Sequence, residues 1–296
     1  MKQFQVLTDS TADVEKKYRD KYELDYMKMI FTIDGKDYDA DLEWKEISPT
    51  QYYEMMRGGK RSVTGQIQPS EVEEKFKKYL DAGLDILYVS CSSKLSGSYN
   101  YAEVYAKELL EKYPGRRIVC FDSLRSNYAE GLVAIDAAKY ALEGKSLDET
   151  VEQLTKDRLS YQVYATAGSL AWLKKAGRVK ASAAFFGNLI GIKPIIVSDA
   201  KGNNFAFKKV KGRKASLDEF VNIIVERMTN PEQGLLCIEH ADCYEDAKYI
   251  ATEVAKKISV KEINISDLGP IIGATTGPDT ITINFFGQEV TIADGQ

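Results

Sequence analysis

The sequence predicts an α/β protein of two domains. The first is an N-terminal Rossmann-like domain built on a parallel sheet. The second is a C-terminal α+β domain on a mixed or antiparallel sheet. Three observations carry this. Through the first half of the 296 residues, short apolar runs alternate with helical periodicity, the pattern of strands joined by right-handed helical crossovers. Past residue 160 the rhythm changes, and hairpin signals appear among short helices. No repeat or low-complexity linker intervenes, so the division falls at 1–160 and 161–296.

Residues 2–8 (KQFQVLT) alternate as a strand does, and a short helix is expected over 12–19. Residues 24–33 (LDYMKMIFTI) read as one strand ending in a turn at Asp34-Gly35. Ser48-Pro49-Thr50-Gln51 combines an N-cap, a proline in the first helical position and a reciprocating Gln, and Gly58-Gly59 closes that helix. Residues 61–69 (RSVTGQIQP) are too polar and too broken for a regular element and read as a loop carrying Thr64. Ser70-Glu71-Val72-Glu73 reads as a capping box, with Val72, Phe76 and Leu80 on one helix face. Residues 84–90 and 117–121 are strands around a helix over 99–113. A nearly all-apolar helix at 131–142 should be deeply buried, and Ser146 to Glu149 caps another helix.

In the second half, 161–167, 193–198, 204–210, 235–239 and 262–267 read as strands. The pair 193–198 and 204–210 is joined by a hairpin turn at Asp199–Gly202. Short helices are expected at 169–176 and 182–190, closed by Gly177 and Gly191. Longer helices span 216–228, with a capping box from Ser216 to Glu219, and 244–258. Residues 269–280 (GPIIGATTGPDT) read as a hydroxyl-rich loop because Pro270 and Pro278 interrupt any helix. A terminal hairpin is expected from 281–286 and 289–292.

The stretch 94–100 (KLSGSYN) lies where an apolar strand ends and a helix begins. Free N–H groups and the helix dipole make such a junction an anion site without metal or cofactor. In parallel folds ligands bind at the carboxyl ends of strands. Asp9 and Asp122 each follow a strand as well and are candidate neighbours of this loop.

Composition narrows the function. A net charge of −4, from 40 basic and 44 acidic residues, is not the basic excess of a nucleic-acid surface. No apolar run approaches the ~18 residues of a membrane span. The start, MKQFQVLTDS, has neither the charged nor the apolar region of a signal peptide. Cys91, Cys120, Cys237 and Cys243 form no CxxC pair and read as inert buried thiols. A reduced, cytoplasmic setting fits them. The single histidine, His240, ends a strand and reads as structural, which leaves Ser-His or Cys-His catalysis without a base. No phosphate-loop or nucleophile-elbow motif and no metal-ligand spacing occurs. No catalytic residue, metal or cofactor is therefore assigned.

Seven motifs, in order, give the chain a family resemblance. They are Leu7-Thr8-Asp9-Ser10-Thr11-Ala12-Asp13, Val63-Thr64 with Gln68-Pro69-Ser70, Ser92-Ser93-Lys94-Leu95-Ser96-Gly97-Ser98-Tyr99, Gly177-Arg178-Val179, Gly191-Ile192-Lys193-Pro194-Ile195, Gly269-Pro270-Ile271-Ile272-Gly273-Ala274 and Thr276-Gly277-Pro278. The sequence resembles the DegV family nearly end to end. The resemblance implies two α/β domains holding one long-chain fatty acid, such as palmitate or stearate, between them. Its carboxylate would lie on Thr64 and Ser96, with the Gly97 backbone beside them. The best-understood members carry the acid to a separate ATP-dependent kinase that makes an acyl phosphate. Two positions depart from kinase-coupled members. Thr275 stands where they carry a His. Lys211, with Arg213 close by, stands where they carry an Arg. Phe185, Phe186, Leu189, Ile190 and Ile192 are the candidates for the acyl-chain wall.

Two other readings remain open at this point. One is an enzyme acting on a small acidic or phosphorylated metabolite through the Ser96 loop and Asp9. The other is a regulatory lipid-sensing module whose partner reads the loaded state.

Overall fold

The computed structural model describes residues 2–180 and 191–292. The chain opens with β1 (Phe4–Asp9), a 3-10 turn at Ser10–Ala12, α1 (Lys16–Tyr22), β2 (Asp25–Met27), β3 (Met29–Ile33) and β4 (Lys36–Asp39). Next come α2 (Pro49–Arg57), β5 (Ser62–Ile67), α3 (Pro69–Asp81), β6 (Asp85–Ser90) and α4 (Ser98–Leu110). β7 (Ile118–Asp122), α5 (Asn127–Leu142) and α6 (Leu147–Asp157) complete the first half. The second half holds β8 (Tyr161–Thr166), α7 (Leu170–Ala176), β9 (Val179–Lys180), β10 (Ile192–Ser198), β11 (Asn204–Lys211) and α8 (Arg213–Arg227). It ends with β12 (Leu235–His240), α9 (Tyr244–Ala255), β13 (Glu262–Asp267), α10 (Pro270–Thr276) and β14 (Ile281–Phe286).

The α/β class is as expected. A parallel sheet runs β2-β1-β6-β7. All six residues of β1 are buried, because helices cover both faces of such a sheet. The chain steps from β1 to β2 on one side and later returns to the other side of β1 at β6. The order therefore reverses between β1 and β6, and the loops leaving their carboxyl ends part there. A seven-stranded mixed sheet, β13-β12-β14-β8-β10-β11-β9, takes all its strands from after residue 160. A small antiparallel sheet, β4-β3-β5, completes the described strands.

α5 lies between the two large sheets, against β1 and β6 on one side and β8 and β14 on the other. Its burial all round explains why its sequence is apolar all round. Gly131 lets it approach closely. A Cβ there would stand 2.6 Å from both Ala12 O and Val14 Cγ2.

Several expected elements change. The single strand at 24–33 is two strands, β2 and β3, which enter different sheets on either side of Lys28. The loop at 61–69 contains a strand, β5. Its register against β3 pairs Met29 with Ile67 and Phe31 with Thr64, so Gly65 and Gln66 together oppose Ile30. That is a bulge, and it hides the strand's alternation. The loop at 269–280 holds α10, because Pro270 occupies the first helical position, where its missing N–H costs nothing. The terminal hairpin does not form. β14 inserts between β12 and β8, and 289–292 carries no strand.

Capping is partly as expected. The boxes at Ser48 and Ser146 form. The box at Ser70 does not, since α3 already starts at Pro69. α8 starts at Arg213, so Ser216 falls in its first turn and donates to Arg213 O at 2.6 Å. The helix expected over 12–19 is displaced to α1. The helix expected at 182–190, with the wall candidates Phe185, Phe186, Leu189 and Ile190, lies outside the described residues.

Candidate ligand-binding site

The site grows from the β1/β6 switch. After β6 the chain is pinned at Ser92, whose N–H donates to Arg125 O at 2.7 Å and whose hydroxyl donates to Gly202 O at 2.8 Å. Leu95 N and Ser96 N turn back to Ser92 O at 2.9 and 3.1 Å. Asp122 holds the same loop from β7, accepting from Ser93 N at 3.2 Å. Gly97, not Ser96, is the capping residue of α4.

Ser96 Oγ accepts from Ser98 N at 3.2 Å and lies 2.9 Å from Ser98 Oγ. The buried Ser98 Oγ itself accepts from Ile67 N of β5 at 3.3 Å. Ser98 can therefore pass its own proton to Ser96. Both acceptor positions of Ser96 are then filled, and its hydroxyl proton is left to donate elsewhere. β5 also touches the loop directly. A Cβ on Gly97 would stand 2.8 Å from Gln66 Nε2.

A cavity of about 280 Å³ opens here, between the parallel sheet and the seven-stranded sheet. The bulge residues Thr64, Gly65 and Gln66 line it, as do Ser96 and Gly97. Thr275 also lines it, from α10. The opposite wall is apolar in part: Val163 and Ala165 of β8, and Ile196 and Val197 of β10. Ile271 and Ile272 close it from α10. Arg178, at the foot of β9, is the basic residue of this wall among the described residues. Thr64, Thr275 and Arg178 also border a second hollow of about 120 Å³, which adds Arg61 and Lys175. Three cations around one concavity raise the local potential and draw anions toward those hydroxyls.

Thr64, Ser96, Gly97 and Thr275 are thus brought together. Ile192 opens β10 opposite Lys211, and the wall takes Ile196 and Val197 of that strand instead. Lys211 is exposed, and Arg213 is held by Asp246 at 2.7 Å and by Cys243 Sγ. Neither lines the cavity. In the sequence, Arg178 and the pair Ile271–Ile272 stand only within family motifs, with no site role of their own. The two isoleucines were hidden because α10 reads as a loop.

The acidic neighbours are structural. Asp9 is buried and accepts from Thr11 N at 2.9 Å and Tyr88 Oη at 2.6 Å, and burial pushes its carboxyl pKa up. Cys91 reaches the wall, and burial pushes its thiol pKa well up. All four cysteines are free. His240 is buried with Nδ1 3.7 Å from Asp267, and burial pushes its pKa down. Among the described residues, no group of three or more His, Cys, Asp or Glu is placed to hold a metal. No helix there is long and apolar enough to cross a membrane.

The family model described as "Uncharacterised protein, DegV family" matches residues 3–288. The chain belongs to the DegV family. A DegV domain-containing protein of Clostridium perfringens is 35% identical over 288 residues, covering 97% of this chain and 99% of its own. A solved DegV structure from Thermus thermophilus, described by its fatty acid binding, is 25% identical with a TM-score of 0.85, covering 97% of this chain and all of its own. A DegV lipid-binding protein from Thermotoga maritima shares the fold at a TM-score of 0.84 and 24% identity, over 98% of this chain. The similarity to these solved structures runs through both large sheets.

Proposed function

We propose that this protein binds one long-chain fatty acid in the cavity between its sheets. The carboxylate lies on the hydroxyls of Thr64 and Ser96 with the Gly97 backbone, and the chain runs along Val163, Ile196 and Ile271. The observation that carries this reading is the convergence of two hydroxyls from separate elements on one cavity, at the β1/β6 switch and beneath an apolar wall. The fatty acid binding described for the Thermus thermophilus relative supports it.

The energetics fit. A sixteen-carbon chain buries ~15 carbons worth ~0.8 kcal/mol each, about 12 kcal/mol gross. Association costs about 4–15 kcal/mol. The chain supplies most of the affinity, and the hydroxyls fix which end leads. No cofactor is needed, and the setting is cytoplasmic. The division at 160 belongs to the same proposal, with 1–160 carrying the head-group loops and 161–296 the chain pocket.

On this reading the protein is a carrier rather than a catalyst, and it presents the acid to a partner kinase for acyl-phosphate formation. Thr275 borders both the cavity and the cationic hollow, where a transferred group would have to arrive. Coupling is tested by adding an ATP-dependent fatty acid kinase to the loaded protein. Acyl phosphate formed by the wild type places it in a kinase system, and formation only by Thr275→His marks Thr275 as the block. Mass spectrometry of the purified protein, native and after solvent extraction, tests binding itself. One fatty acid per chain is expected. An empty protein that refuses added fatty acids overturns the reading.

A further inference from the structure

The cavity wall is more polar than an unsubstituted hydrocarbon chain requires. Most of its hydroxyls are engaged. Thr276 Oγ1 donates to Ile272 O at 3.1 Å, Thr282 Oγ1 to Glu239 at 2.7 Å and Ser198 Oγ to Asn204 Oδ1 at 2.5 Å. Thr64 and Gln66 on β5 and Thr275 on α10 keep side-chain groups free among the described residues at the head-group end, and two further wall groups, on other elements, are also unengaged. Ser126 stands at the N-cap of the sixteen-residue α5 but makes no capping bond. It is only 5% exposed and lines the cavity, and its hydroxyl has no partner among the described residues. Asn204 uses its Oδ1 on Ser198, which leaves its Nδ2 hydrogens without a partner among the described residues.

Both groups line the cavity, and bonds tie the segments that carry them together. Arg125 Nη1 donates to Asp199 O at 3.1 Å. That bond fastens the start of α5 to the end of β10. Ser126 follows Arg125, Ser198 precedes Asp199, and Ser198 pairs with Asn204 across the hairpin. The second and third N–H groups of α5 are already taken. Tyr128 N donates to Asn127 Oδ1 and Ala129 N to Asn284 Oδ1. α5 also offers the cavity the Ser126 hydroxyl, backed by the positive end of the helix dipole.

We propose that Ser126 and Asn204 form a second polar subsite for an oxygen substituent on the acyl chain. The preferred ligand class is then long-chain fatty acids bearing a hydroxyl or keto oxygen. This rests on the fatty-acid reading of the cavity. A hydroxyl and an amide facing plain hydrocarbon give up hydrogen bonds to water and gain none. An oxygen on the chain restores them, and a site built to bond such an oxygen discriminates against the analogue without it.

The test is calorimetric titration of the delipidated full chain with stearic acid and with monohydroxystearic acids differing in hydroxyl position. At least one positional isomer should bind about tenfold tighter than stearic acid. Ser126→Ala and Asn204→Ala should each pull that ratio toward one, and Ser126→Thr should keep it. Far-ultraviolet circular dichroism checks that each variant is folded. If stearic acid binds and every hydroxylated isomer binds equally or more weakly, the subsite is overturned and the fatty-acid reading stands. A preference that survives both alanine variants also overturns the subsite. If no acid binds, both readings fall.

Discussion

Ser98 is the residue on which the head-group loop depends, though its hydroxyl is not on the cavity wall. It joins Ile67 N of β5 to Ser96 Oγ of the loop. Ser98→Ala leaves a buried N–H without its partner, a loss of about 1–3 kcal/mol. Thermal denaturation should register that loss, and fatty-acid affinity should fall with it because Ser96 loses its proton donor. Alanine at both Thr64 and Ser96 acts differently. Each hydroxyl bonded to a carboxylate is worth about 1.5–3 kcal/mol, so titration should show affinity falling roughly tenfold or more per hydroxyl. The melting temperature should move far less than in Ser98→Ala. An unchanged affinity removes the head-group assignment. Ser96 was legible in sequence because a strand-to-helix junction is a local pattern. Ser98 was not, because its partner Ile67 is 31 residues away and meets it only in the fold.

At the scale of elements, β5 and α5 show what local pattern conveys and what it conceals. β5 carries Thr64, and its bulge at Gly65–Gln66 breaks the period of two that marks a strand. Gly65 is also required there, since a Cβ would stand 2.9 Å from Ile30 Cγ1. α5 is the opposite case: its apolar run predicts burial, and burial follows. Its weak point is Gly131. Gly131→Ala forces a methyl against Ala12 O and Val14, and overpacking of this kind costs about 1–3 kcal/mol. Urea unfolding should show a lower midpoint with little change in slope. A midpoint equal to wild type would mean that α5 can shift between the sheets.

The whole molecule depends on polar groups buried between its halves. Arg125 is fully buried, and its side chain donates to Tyr161 O at 2.5 Å and Asp199 O at 3.1 Å. Burial pushes its pKa down to about 10. Asp13 and Glu239 are also buried, and burial pushes the Asp13 carboxyl up to about 7 and that of Glu239 well up. A carboxyl raised in the folded state holds its proton more tightly there than in the unfolded chain. Its contribution is complete below the unfolded value of about 3.9 and is lost as pH rises through about 7. Unfolding free energy should therefore decline between about pH 4 and pH 7, and Asp13→Asn should flatten that decline. Asp25 works the other way. Despite partial burial, Lys75 and Tyr79 hold it down to about 2, so its contribution fades only in stronger acid. Denaturant melts from about pH 2 to about pH 7 check both signs.

The sequence by itself determined the α/β class, nearly every strand of the two large sheets, the buried helix and the junction at Ser96. Each rests on periodicity, capping or turn chemistry within a dozen residues. Only the tertiary structure decided which of those pieces meet. The reversal of strand order between β1 and β6, the bulge that carries Thr64 and the insertion of β14 between β12 and β8 depend on pairings between distant segments. So do the fastening of the start of α5 to the end of β10 through Arg125 and Asp199 and the placing of Arg178 on the same hollow as Thr64 and Thr275. Such pairings are chosen by burying the apolar faces of whole sheets together, and no local pattern encodes that choice.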